Sequence, residues 1–174
     1  MVIYMKAIET ALSLTQAYKL GIERFEKMLG DEFAKAVDSM NNTSTHIIVC
    51  GMGKSGLVGR KISSTLASTG TPSIFLHPAE AIHGDLGKVQ KNSVVLLISY
   101  SGETGEIIAL IPALKRLDVN IIALTGVKNS TLANKSDIVL DTSVDREACP
   151  LNLAPTTSTM ITMVLGDALA VSLM

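Results

Sequence analysis

Five short apolar runs punctuate the middle of this chain: His46–Cys50, Ser73–Leu76, Val94–Ile98, Asn120–Leu124 and Ile138–Leu140. They are almost continuously hydrophobic rather than alternating, the pattern of strands covered on both faces of a parallel sheet. Segments of helical texture lie between them, at Lys54–Ser68, Thr104–Arg116 and Ser130–Asn134, and a last helix begins near Thr156 and runs to Met174. Strand and helix in alternation predict an α/β domain with a doubly wound, five-stranded parallel sheet. Right-handed crossovers in such a sheet put the active crevice beyond the carboxyl ends of the strands. Functional residues are therefore sought just after each run.

Residues 1–44 read as a helical segment ahead of an α/β core at 45–174, the whole forming one domain. Met5, Ile8, Leu12, Ala17, Leu20, Phe25 and Met28 recur at helical spacing, Gly30 marks a break, and Glu32–Met40 fits a second helix. The first helix has an apolar face with little domain to cover it, which predicts packing between subunits. With 47% apolar and 18% charged residues over 174 positions, the chain can bury a real core and is not disordered. Aromatics at 3% and the absence of Trp leave little for stacking single-stranded nucleic acid. A net charge of −1, with acids and bases interspersed, lacks the basic surface that nucleic acid or an anionic membrane needs. Cys50 and Cys149 form no CxxC and have no His cluster around them, so no metal site is expected. The two long charge-poor stretches, Ile62 to Ala79 and Ala148 to Gly166, contain Pro, Gly and hydroxyl residues and do not read as membrane spans. With no basic n-region leading an apolar one, the expectation is a soluble cytoplasmic protein.

The first run opens into Gly51-Met52-Gly53-Lys54-Ser55-Gly56, formally a GxGxxG. A dinucleotide site would also want an acid at the end of the second strand for the ribose hydroxyls. That strand ends in Leu76-His77-Pro78, with no acid before Glu80. A P-loop fails as well. Gly53-Lys54-Ser55 supplies its GKS, but the first glycine of GxxxxGKS falls on Ile48. What survives is a tight strand-to-helix turn whose backbone amides favour an anion; a turn without a ligand is the alternative.

The third run ends in Ser99-Tyr100-Ser101-Gly102-Glu103-Thr104, and a helix follows. One hydroxyl here would mean no more than a helix cap. Three hydroxyls around a glycine, beside a second Gly/Ser loop, suit a phosphate group. No Arg is required, because a helix dipole and neutral donors can hold the dianion.

This Ser-x-Ser-Gly-Glu-Thr loop resembles the phosphate loop of the SIS (sugar isomerase) family. The similarity runs over most of the chain from about residue 46. Gly51–Gly56, His77-Pro78-Ala79-Glu80-Ala81-Ile82-His83-Gly84-Asp85-Leu86-Gly87 and the segment from Glu147 to Ser158 look like the arabinose 5-phosphate isomerase branch. The last two are more specific to that branch than the phosphate loop is. The resemblance implies the flavodoxin-like SIS fold and an aldose–ketose isomerase interconverting D-ribulose 5-phosphate and D-arabinose 5-phosphate through an enediolate, without a cofactor. It implies a phosphosugar ligand and a homotetramer or dimer with sites at subunit interfaces. It assigns Ser99, Ser101 and Thr104 to the phosphate, with Ser55 nearby and Gly53 and Gly102 in the substrate-binding loops.

Aldose–ketose isomerisation needs a base for the carbon-bound proton and a stabiliser for the enediolate. Glu147 follows the fifth run and precedes a Pro-bounded apolar loop. Composition alone would leave it a surface residue of Asp145-Arg146-Glu147; the resemblance makes it the base, and partial burial is expected to raise its pKa. Glu106, at the start of a helix, is either a favourable charge on the dipole or, by resemblance, an assistant in oxygen-to-oxygen proton transfer. Lys54 is either a solvated lysine or the cation for an oxyanion or the phosphate. His83 is either structural or a proton shuttle; His46 and His77 read as structural. The family usually continues beyond the equivalent of Met174 into a segment with a further histidine in a Ser-His-Pro-Gly context, and its long forms add a pair of CBS modules. Its product feeds the eight-carbon acidic sugar of lipopolysaccharide, with sugar-alcohol catabolism an alternative setting.

Three other readings remain at this point. Another SIS isomerase, such as a hexulose phosphate isomerase, would share the serine loop but not Glu147–Ser158. A non-catalytic phosphosugar sensor would add a helix-turn-helix, and residues 1–45 contain no basic recognition helix. A Rossmann dehydrogenase lacks its acid.

Overall fold

The apolar runs become β1 (Ile47–Gly51), β2 (Ser73–Leu76), β3 (Val94–Ile98), β4 (Asn120–Thr125) and β5 (Ile138–Asp141). The structure is a computed structural model that describes residues 2–174, with side chains described from residue 5. Around the strands run α1 (Val2–Met28), α2 (Asp31–Asn41), α3 (Gly53–Ser68), α4 (Pro78–Ile82), α5 (Gly105–Arg116), α6 (Thr131–Lys135) and α7 (Thr157–Ser172). All neighbouring strands are parallel, in the order β2-β1-β3-β4-β5. This is the doubly wound sheet that the alternation of elements predicts, in the flavodoxin-type order that the resemblance implies. His46 falls just outside β1, while Gly51 and Thr125 extend their strands at the carboxyl end.

Continuous hydrophobicity is explained by burial from both sides. Every residue of β1 and β3 is buried, as is all of β4 after Asn120. Successive side chains point to opposite faces. Ile47, Val49, Leu96, Ile122 and Leu124 meet α3, α7 and α2 on one side. Ile48, Cys50, Leu97, Ile121 and Ala123 meet α5 and the residues around α4 on the other. Each Val, Leu or Ile among them stabilises by roughly 1.5–3 kcal/mol, and a one-residue slip would send all of them to the wrong face. Cys50 belongs to this core: burial pushes its thiol up to about 12, so it stays protonated and inert.

The register also aligns the loops that matter. Gly51 of β1 pairs with Ile98 of β3, Ile98 with Leu124 of β4, and Thr125 with Asp141 of β5. The glycine loop, the serine loop and the segment after β5 therefore leave the same edge of the sheet.

α1 is only partly covered by the domain, in line with the apolar face expected from its sequence. Its second half packs on α7, burying Ala17 and Phe25. Met5, Ile8, Leu12 and Leu20 are 59%, 62%, 62% and 49% exposed. The apolar periodicity is helical, but much of the stripe faces away from the domain. No helix among the described residues is long and apolar enough to cross a membrane. Nor, among them, do three or more His, Cys, Asp or Glu side chains cluster in a way that could hold a metal ion.

Candidate active site

The serine loop is tied down by its own side chains. Ser99, only 2% exposed, places its hydroxyl 2.8 Å from that of Thr104. The amide of Gly102 donates to Ser99 Oγ at 3.1 Å, and that of Glu103 donates to Ser101 Oγ at 3.2 Å. Gly102 has φ +67°, the left-handed conformation that suits glycine. Its carbonyl accepts from Leu132 N at 3.1 Å, while the Glu103 carboxylate accepts from Thr131 N at 2.6 Å. Glu103, to which the sequence gives no role, is thus a clamp from the loop onto α6, and that hydrogen bond holds its carboxyl below the usual value. Thr104 occupies the N-cap of α5 yet makes no side-chain cap bond, because its hydroxyl turns to Ser99. The first amides of α5 are left for an anion.

The glycine loop repeats the arrangement one strand away. Gly53 opens α3 with φ +57°, and Met52 at the N-cap supplies no side-chain cap. Lys54 and Ser55 sit in the first turn, Lys54 exposed and Ser55 half-buried. Two helix starts without side-chain caps, α3 and α5, thus stand side by side beyond adjacent strands.

Beyond β5 the chain folds back on itself around Glu147. The carboxylate accepts from Thr156 N at 2.7 Å, Thr156 Oγ1 at 3.0 Å and Ser158 N at 3.3 Å, and from the Ser158 hydroxyl in a short contact. Ala148 N returns a bond to Thr156 Oγ1 at 2.9 Å, and Glu147 N donates to Asn152 Oδ1 at 2.7 Å. Glu147 is therefore the capping group of α7, supplied from ten residues upstream of Thr157. Arg24 of α1 pins the same segment through Asp145 at 2.8 Å and Ser143 at 2.9 Å. Partial burial pushes the Glu147 pKa up, as the sequence argument expects, but the donors of Ser158 and Thr156 outweigh it and hold the carboxyl below its ordinary 4.5. The net direction is thus the opposite of the one expected from desolvation alone.

This depression has a testable sign. A lowered folded-state pKa contributes stability above the unfolded value, and that contribution is lost as pH falls through the folded value. Melting temperature should decline as pH drops below about 4.5, and the decline should be shallower in Glu147→Gln. Thermal melts from pH 7 down to about pH 3 check this; parallel profiles for the two proteins would show that Glu147 does not supply the effect.

A cavity of about 310 Å³ is lined by Ser55, Tyr100, Glu147, Asn152, Ser158 and Thr159 among others. Of the residues expected from sequence, Ser55 and Glu147 share it. Ser99, Ser101, Gly102 and Thr104 form the neighbouring serine loop, and Gly53 and Lys54 the glycine loop. Glu106 is half-buried in the first turn of α5, and His83 is exposed at the C-cap of α4, outside the cavity lining. Sequence reasoning gave no role to Tyr100, Asn152, Thr156 or Ser158. Hydroxyls opening a helix after Pro155 are a visible capping signal. Nothing in the spacing says that the capped acid is Glu147.

Comparison with known proteins adds to this geometry. The SIS domain family model matches residues 40–172. An arabinose 5-phosphate isomerase of Pseudomonas aeruginosa is 56% identical over 146 residues, covering 84% of this chain and 45% of that protein. One from Escherichia coli O6:H1 is 55% identical over 142 residues, covering 82% of this chain and 43% of that protein. The chain spans about half the length of the curated relatives it matches. Among solved structures, an Escherichia coli CFT073 protein in complex with arabinose 5-phosphate has a TM-score of 0.88 at 38% identity, covering 97% of this chain and 90% of that one.

Proposed function

Because the chain belongs to the SIS domain family, we propose that it interconverts D-ribulose 5-phosphate and D-arabinose 5-phosphate through an enediolate. The observation that carries this reading is the cavity shared by Ser55, Tyr100 and Glu147, one residue from each of three loops at the carboxyl edge of the sheet. Its volume of about 310 Å³ suits a small ligand. The names of the curated relatives, and the arabinose 5-phosphate held by the Escherichia coli structure, support a five-carbon sugar phosphate as that ligand.

In this scheme the serine loop holds the phosphate through Ser99, Ser101 and Thr104 and the free amides of α5, with Ser55 and the backbone at Gly53 and Gly102 completing the cradle. Glu147 takes the carbon-bound proton; the donors of Thr156 and Ser158 keep it ionised near neutrality and fix its direction. Lys54 stabilises the negative oxygen of the enediolate. Glu106 assists the proton transfer between the substrate oxygens, and His83 serves as a shuttle from α4. Each step is a proton transfer, so none calls for a metal or a redox cofactor.

The same reading takes residues 1–174 as one SIS domain, with 1–44 as its helical segment and 45–174 as its α/β core. It is a cytoplasmic homotetramer or dimer with sites at subunit interfaces. The outward stripe of Met5, Ile8, Leu12 and Leu20 is the surface that supports assembly. Supply of a lipopolysaccharide precursor and sugar-alcohol catabolism are the two settings open to such an activity.

A ligand-dependent melt tests the proposal. Arabinose 5-phosphate and ribulose 5-phosphate should raise the melting temperature, whereas NAD should not. Ser101→Ala and Thr104→Ala should weaken that shift and raise KM, while costing only about 1 kcal/mol of stability. A shift with a hexulose phosphate alone would favour a different SIS isomerase. An unchanged KM in both variants would remove the phosphate assignment.

A further inference from the structure

We propose that Tyr100 is a positioning residue that sets the Glu147 segment at a fixed height above the phosphate loop. The inference rests on the reading of Glu147 as base. Tyr100 lies between Ser99 and Ser101, yet its side chain does not serve the loop it belongs to. Its carbonyl accepts from Gly126 N at 2.9 Å and from Thr125 Oγ1 at 3.2 Å, fixing its backbone to the end of β4. The ring packs against Gly126. A Cβ at that position would come within 2.5 Å of Cε2 and 2.7 Å of Cζ, so no side chain fits there while the ring stays. At the far end, the phenol oxygen accepts from Val144 N at 3.3 Å, three residues ahead of Glu147. Among the described residues, this bond is what joins the 143–147 segment to the serine loop; its other ties run to Asp141 at the end of β5, to α1 through Arg24, to Asn152, and to the start of α7 through Glu147 itself.

The chemistry gives such a strut a purpose. A sugar phosphate is a spacer of fixed length: once the phosphate is seated, the proton to be removed lies at a set distance from it. The base must match that distance, and a misplacement of about 1 Å can cost about 10²-fold in rate. Tyrosine suits the task, because a flat ring with two side-chain torsions loses little freedom when packed. Tyr100 is 37% exposed and lines the same cavity as Ser55 and Glu147, which places the strut along the wall between the two ends of the ligand.

Kinetics on the intact chain separate this role from a structural one. Tyr100→Phe keeps the ring and removes the acceptor; kcat should fall about 5-fold with KM nearly unchanged, as for loss of one ordinary hydrogen bond. Tyr100→Ala removes the strut, and kcat should fall about 10²-fold. Inhibition by inorganic phosphate should keep its strength in both, because the serine loop is intact. Gly126→Ala should lower kcat in the parent and do little more in the Tyr100→Ala background, where the atoms it strikes are gone. A rise in KM with kcat intact, or weakened phosphate inhibition, would make Tyr100 a ligand-binding group and overturn the proposal. Exchange of the substrate's carbon-bound hydrogen, measured alongside in Glu147→Gln, keeps the two readings apart. Normal exchange in that variant removes the base and the strut together. Lost exchange there, with normal turnover in both Tyr100 variants, removes the strut alone.

Discussion

Turnover in Glu147→Gln should fall by about 10² to 10⁴, the usual contribution of a general base. Gln preserves length and one accepting oxygen but cannot take up the proton. Its amide nitrogen would also face donors of Thr156 or Ser158 that now bond the carboxylate. The cost in stability is that of a weakened helix cap, about 1 kcal/mol, and the domain should fold. KM should change little, because the serine loop is untouched, so the loss falls on kcat. The decisive measurement is exchange of the substrate's carbon-bound hydrogen with deuterated solvent, which should vanish together with turnover. If the variant exchanges at the normal rate, the base is another group, with Glu106 or His83 the next to test.

The second large effect is expected at Gly102. An alanine there must adopt φ +67°, which costs about 1–3 kcal/mol for a residue with a Cβ. That Cβ would also stand 2.0 Å from Ser130 Oγ and 2.3 Å from Ser130 Cβ, and the hydroxyl it displaces caps α6 by accepting from Ala133 N. Loss of such a cap adds about 1 kcal/mol. Together these predict a destabilisation of roughly 2–4 kcal/mol and a fall in melting temperature of about 5–15 °C. The amide of Gly102 bonds Ser99, so distortion reaches the proposed phosphate site directly. Calorimetric titration with arabinose 5-phosphate should show affinity reduced more than about 10-fold. Gly30→Ala is the control: nothing lies within 4 Å of its added carbon and its backbone is extended, so it should melt close to the parent. A Gly102→Ala protein that melts and binds like that control would show that the loop relaxes around the added carbon.

The sheet could be read from sequence because its central strands β1, β3 and β4 are covered on both faces, so that burial writes an unbroken apolar run bounded by Gly, Pro or polar residues. Even the short helix α6 was legible, since Ser130 at its start is an ordinary cap. The two anion-favouring loops were visible for a similar local reason: glycine and hydroxyl residues fall directly after strands β1 and β3. The environment of Glu147 was not. Its donors come from residues nine and eleven positions later, across a loop closed by Pro155, and no periodicity links them. Desolvation could be anticipated from position; the donors that reverse its effect could not. Tyr100 escaped for the same reason. Its neighbours in the chain suggest a phosphate loop, whereas its partners, Gly126 and Val144, lie beyond two later strands. The exposed stripe on α1 shows a further limit, because spacing reveals a helix but not what covers it.

All three loops of the candidate site leave one edge of the sheet, and the opposite edge consists of tight turns leading into the strands. A five-residue strand separates the two edges by about 16 Å. Asn92 and Asp118, exposed at that far edge with φ +65° and +55°, hold chain reversals that touch none of the loops described above. The architecture thus supplies a handling side. A dye, a surface anchor or a fused module attached at either turn would sit a full strand length from the candidate site, so the protein can be watched or immobilised without obstructing it.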